Sequence, residues 1–148
     1  MNTPCTYAFH ESFPAALLPV AVPAMEAACA MWAFPGLPEW RRVQQDGGGV
    51  DLLIATDHRE PWVSQAMQHI NAGPTRLLLV NEAVPWRTKW FQFWRFAMDP
   101  VLFAHEMGHF FGLPHAASRE DSVMQPNPIT APTLKDKREA ARRRRWMS

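Results

Sequence analysis

The chain predicts a single domain of α+β class, and three observations carry that expectation. Its 148 residues are enough for one sizeable core. A hydrophobic content of 47% is that of a globular protein and argues against disorder. Short apolar runs of strand character alternate with helical segments in the order strand, helix, three or four strands, helix, loop, helix. Fourteen prolines spread along the chain keep these elements short.

Residues 5–13, "CTYAFHESF", alternate in part and carry aromatics, which predicts a first strand. "VPAMEAACAMWAF" (22–34) predicts a helix, with Pro23 near its first turn and Pro35-Gly36 as its stop. Within it Ala24, Ala28, Met31 and Trp32 recur at helical spacing. "EWRRVQQ" (39–45) predicts a modest strand, and Asp46-Gly47-Gly48-Gly49 suits a hairpin turn into "VDLLIAT" (50–56), a buried strand. "VSQAMQHI" (63–70) predicts a short edge strand, with a helical turn as the alternative, and "RLLLVNE" (76–82) another apolar strand.

The best-defined element follows. Asp99 suits an N-cap, Pro100 the first helical position and Gly112 the stop, giving a helix over 100–111. Leu102, Phe103, Met107, Phe110 and Phe111 surround its axis, so it should run through the core. A last helix is expected from about Thr133, where Thr-Leu-Lys-Asp resembles a capping box. Residues 1–134 read as the body of the domain. Residues 135–148 read as a C-terminal helix with a basic tail, part of the same domain.

Net charge is +1 but uneven. Residues 1–134 hold eight basic against twelve acidic residues, while seven basic residues lie beyond, including the run Arg142–Arg145. That run reads as a solvated terminus rather than a nucleic-acid patch. Trp86, Trp90, Phe91, Phe93, Trp94 and Phe96, interleaved with Arg87, Lys89 and Arg95, read as core and cleft wall rather than a stacking platform. Cys5 and Cys29 are too few for a disulfide scaffold and read as reduced. The uncharged run 12–25 is short and holds three prolines, which excludes a membrane span there. "MNTPCTYAFHE" lacks a cationic signal-peptide region, so with Met1 as the natural start the compartment is cytoplasmic by default, or reached by a non-classical route.

The chemistry concentrates in "AHEMGHFFGLPH" (104–115). His105 and His109 are four residues apart on one helix, so their imidazoles share a face and can hold one ion. Glu106 is turned about 100° around the axis, out of that inner shell but within reach of a water the metal holds. Gly112 turns the chain back so that His115 can add a third nitrogen. Three histidines with one position left for water describe an open catalytic zinc site. Zinc lowers the water's pKa and polarises a scissile carbonyl, and Glu106 is placed to act as general base. A core helix with incidental histidines is the weaker reading, because five such positions co-occur by accident in roughly one chain of this length in 10⁴ to 10⁵.

These residues, His105-Glu106-x-x-His109-x-x-Gly112-x-x-His115, match the metzincin signature, and Ser122-Val123-Met124 resembles its Met-turn. Within that family the chain is most similar to the matrixins, in "HEMGHFFGLPH" and "DSVMQP", and more weakly in "VDLLIA" and "LLLVNEAVPW". The resemblance implies a zincin-like fold with a twisted mixed sheet of four to five strands, three helices and zinc in a cleft between subdomains. It implies a zinc endopeptidase with one catalytic ion, acting as a monomer on peptide or protein substrates that lie extended beside an edge strand. Met124 would floor the metal. Ala66 and Gln68 on the edge strand and Gln125, Pro126 and Asn127 after the Met-turn become cleft candidates. Relatives' second zinc and calcium ions have only a loose echo in Asp57, His58 and His69, which read as ordinary surface residues. Cys5, in "TPCT", does not match the propeptide motif that plugs the zinc in matrixins. The alternative reading is a metzincin-like fold serving as a non-catalytic binding module, with the basic tail contacting nucleic acid. Retention of Glu106 argues against it, since a binder needs no base.

Overall fold

The computed structural model describes residues 3–44, 49–60, 66–72, 74–87, 97–117, 120–126, 128 and 130–143. Five strands and three helices follow in the order β1 (Cys5–Phe9), α1 (Leu18–Met31), β2 (Trp40–Arg42), β3 (Leu52–Asp57), β4 (Met67–Ala72), β5 (Thr75–Asn81), α2 (Pro100–Phe110) and α3 (Leu134–Arg143). The strands form one mixed sheet in the order β2-β1-β3-β5-β4. All neighbours are parallel except β4, which runs antiparallel to β5 at the sheet's edge.

The expected hairpin between the strands on either side of Asp46–Gly49 is not formed. β2 and β3 instead lie on opposite sides of β1, each parallel to it. Burial explains the order. β1 has three of its five residues buried and none exposed, and needs cover on both flanks, whereas β2 is three residues long and exposes Arg41 and Arg42, as an edge tolerates. Asp51 then ties β3 to β1: its Oδ2 accepts the Thr6 backbone N–H at 2.8 Å.

Helix α1 begins at Leu18, four residues before the expected start, and Pro23 falls inside it rather than near its first turn. Pro19 takes the first-turn position, where a missing N–H costs nothing. Pro23 points to solvent, so the carbonyl it leaves unpaired can be hydrated. Ala21, Ala24, Met25 and Ala28 form the buried face, and the small alanines let α1 lie close against α2.

Helix α2 starts as expected. The Asp99 side chain accepts the Val101 N–H at 2.9 Å, and Pro100 occupies the first turn. Seven of its eleven residues are buried, so it runs through the core. Trp32, at the end of α1, donates its indole N–H to the Ala104 carbonyl at 2.9 Å and packs edge-on to Phe111. Helix α3 starts with the reciprocal bonds of a capping box: Asp136 N–H to Thr133 Oγ1 at 3.2 Å, and Thr133 N–H to Asp136 Oδ2 at 3.0 Å.

Cys5 and Cys29 are free thiols. No helix among the described residues is long and apolar enough to cross a membrane. Of the aromatic stretch before α2, Trp86 is buried and donates its indole N–H to the Asn81 carbonyl at 2.9 Å, while residues 88–96 lie outside the described residues. Arg144 and Arg145 also lie outside them.

Candidate metal centre

Three imidazoles converge at the end of α2. His105 and His109 project from one side of the helix, with ring centroids 4.9 Å apart. Gly112, at φ 90°, takes the left-handed turn that L side chains resist and redirects the chain. His115 thereby comes within 5.2 Å of His105 and 5.0 Å of His109, centroid to centroid. One ligand atom from each lies within 4.8 Å of the others, close enough to share a metal ion. Among the described residues no other such group forms.

The tautomers are fixed from outside. His105 Nδ1 lies 2.7 Å from the Val123 carbonyl and His109 Nδ1 lies 2.9 Å from the Leu113 carbonyl. A carbonyl only accepts, so each Nδ1 carries the proton and each Nε2 keeps its lone pair for a ligand. That is the arrangement metal-binding histidines use. Burial holds the pKa of His105 down to about 4, against the upward pull of the Val123 carbonyl, and His109 is lowered for the same reason. Neutral imidazole is the form that binds a cation.

Glu106 is buried beside them, and burial pushes its carboxyl up to about 7, with the nearby His69 backbone opposing by less. Ala66 turns its carbonyl inward to Asn81 N–H at 2.9 Å, so the alternation of an antiparallel ladder turns Gln68 and Ile70 inward too. Met67, His69 and Asn71 then turn their backbone groups to the open edge of β4, the strand against which α2 packs. The cleft candidates Ala66 and Gln68 thus direct their backbone groups to β5, not outward. His69 is corrected as well: it is no surface residue near His58 but lies half-buried, its ring 6.3 Å from that of His109. Asp57 pairs instead with Arg59, and His58 lies near Glu60 and Glu82.

Met124 is buried against α2 at Gly108, where an added Cβ would fall 2.2 Å from its Sδ. Glycine leaves the room that the Met124 thioether fills against the helix. Gln125 braces the segment after His115, donating from Nε2 to the carbonyls of Ala117 and Glu120. Pro126 is exposed, and Asn127 lies outside the described residues.

Sequence reasoning missed Asp136. Beyond capping α3, its carboxylate accepts the Ser122 hydroxyl at 2.6 Å and the Val123 N–H at 3.0 Å. Ser122 Oγ in turn accepts the Met124 N–H at 2.9 Å. The capping-box pattern marked this residue, but nothing local shows that the same carboxylate holds the turn behind His105. No protein-family model and no curated protein matches the chain.

Proposed function

We propose that the chain is a zinc-dependent endopeptidase of metzincin, matrixin-like type. The observation that supports it most is the pairing of two externally fixed histidines and His115 with a buried carboxylate that is not one of their group. A site meant only to hold an ion would close its fourth position with a protein ligand. His105, His109 and His115 would hold zinc through ring nitrogens, and three neutral nitrogens suit that borderline ion. Zinc bound there supplies Lewis acidity and lowers the pKa of water.

The chain's own groups do the rest. Glu106 takes a proton at its carboxylate as water attacks the scissile carbonyl, and returns it to the departing amine. Met67 and Asn71, with their backbone groups outward, offer a ladder to an extended peptide. Met124 and Gly108 pack the floor behind the histidines.

The test is zinc content together with hydrolysis of an unstructured protein such as casein. Zinc-dependent cleavage that Glu106→Ala abolishes while the metal is retained is the expected result. A fully zinc-loaded protein that cleaves no peptide across a varied library overturns the proposal.

A further inference from the structure

A cavity of about 240 Å³ lies at the carboxyl ends of the parallel strands β1 and β2. Phe9 closes β1, Arg42 closes β2 and Leu18 opens α1, and all three line it. The carboxyl edge of parallel strands is where open sheets take small ligands. None of His105, Glu106, His109 and His115 lines this cavity, and the reaction above makes no use of it.

Its polar groups are held in place. Arg42 lays its guanidinium over the Phe9 ring, 5.5 Å from the centroid. His10 and Glu11 stand on the loop from β1 to α1, and the backbone ties that loop. His10 N–H donates to the Ile54 carbonyl and Phe13 N–H to the His10 carbonyl, each at 2.8 Å. Ser12 N–H donates to His10 Nδ1 at 3.1 Å, which leaves Nε2 as the ring's N–H donor. Phe13, edge-on to Phe9 with centroids 5.0 Å apart, and Leu18 add an apolar wall.

The charges say what fits. Arg42 and Glu11 line the same space, yet among the described residues neither makes a hydrogen bond or an ion pair, with the other or elsewhere. Exposed charges are ordinarily solvated, and either one alone would read that way. Two opposite charges set around one cavity with an apolar wall single out a ligand that carries both signs. A pure anion would meet Glu11 and a pure cation would meet Arg42, like charge against like. A guanidinium fork with an imidazole N–H suits the two oxygens of a carboxylate, and Glu11 suits an ammonium. Pockets for drug-sized molecules begin at roughly 300 Å³, so this smaller one suits a ligand of amino-acid size.

We propose that this cavity binds a free α-amino acid with an apolar side chain. Its carboxylate lies at Arg42 and His10, its ammonium at Glu11 and its side chain against Phe9, Phe13 and Leu18. The site is independent of the peptidase reading: a chain that cleaves nothing can still hold the amino acid, and an active one can fail to.

The test is an NMR titration of the isotope-labelled, zinc-loaded full chain with L-phenylalanine, beside L-phenylalaninamide, N-acetyl-L-phenylalanine, glycine and inorganic phosphate. Phenylalanine should bind with a dissociation constant of ~1 mM and shift the backbone signals of Glu11 and Val43, which line the cavity. The amide and the N-acetyl form, each lacking one charge, should bind ~10-fold more weakly. Arg42→Met should weaken phenylalanine ~10-fold and remove its advantage over the amide. Glu11→Gln should remove its advantage over the N-acetyl form. Both residues are exposed, so neither variant endangers the fold. An amino acid that merely chelates zinc would bind wild type and Arg42→Met alike, and that result overturns the proposal. So does an absence of saturable binding, or an amide, N-acetyl form or glycine held as tightly as phenylalanine. Phosphate held as tightly marks a site for anions only and overturns it as well.

Discussion

Asp136 holds the Val123 peptide from behind, accepting its N–H at 3.0 Å, while the carbonyl of the same residue accepts from His105 Nδ1 at 2.7 Å. One residue thus stands between a carboxylate on the last described helix and a ring nitrogen of the candidate metal centre. Asp136→Ala strands the Ser122 hydroxyl and the Val123 and Thr133 N–H groups. It should cost about 2–4 kcal/mol in urea denaturation. Zinc affinity, read by competition with a chromophoric chelator, should fall ~10–100-fold. Lost stability with unchanged zinc affinity would separate Asp136 from the metal centre.

The contact of Gly108 with Met124 gives a second expectation. Gly108→Ala pushes a methyl towards Met124 Sδ in a packed core, at a cost of about 1–3 kcal/mol. In a Met124→Ala background the same change should cost less, since the obstructing sulfur is gone. A double-mutant cycle on denaturation midpoints measures that coupling. Additive effects would mean the two residues do not meet.

Gly112 and Gly36 form a controlled pair, with φ 90° and 97°. Alanine at either should cost roughly 1–2 kcal/mol of backbone strain. Only Gly112→Ala should weaken zinc binding, because only Gly112 aims a ligand, His115. Gly36 lies against Ala141, 3.6 Å from where its Cβ would be. Calorimetry and zinc titration of both variants check this.

The metal-free protein should lose stability as pH falls from 6.5 towards 4. His69 and His105, both lowered to about 4 by burial, bind protons more readily unfolded than folded across that window, and unfolding is favoured as acid is added. Glu106, raised to about 7, works the other way: folded, it keeps a proton that the unfolded chain loses above about 4.5, so it favours the fold most at the acid end. Two histidines outweigh one carboxyl, and the net slope is upward with pH. Denaturant midpoints of chelator-treated protein at pH 5 and pH 6.5 measure it, and a higher midpoint at pH 5 would contradict the balance.

Local chemistry explains what could be read in advance. Helix α2 announces itself through Asp99, Pro100 and Gly112, all within one short stretch, and α3 through Thr133 and Asp136. The spacing of His105, His109 and His115 likewise sits on a single helix and its turn. The start of α1 was hidden because Leu17 caps it without a side-chain bond and Pro23 is tolerated on the exposed side. Strand order was hidden because a glycine run suits a hairpin as well as a crossover. Only the burial of β1 decides between them. His69 and Asp136 meet groups 40 and 13 residues away, the His109 ring and Val123, and no local pattern carries such a pairing.

The capping box of α3 also sets an order of events during synthesis. His115 leaves the ribosome 21 residues ahead of Asp136. At translation speeds that is a lag of roughly 1–4 s. Through that interval the nascent chain displays all three imidazoles without the carboxylate that holds Val123 behind His105. His109 already has the Leu113 carbonyl to orient its ring, so the docking of α3 completes the setting of His105 alone.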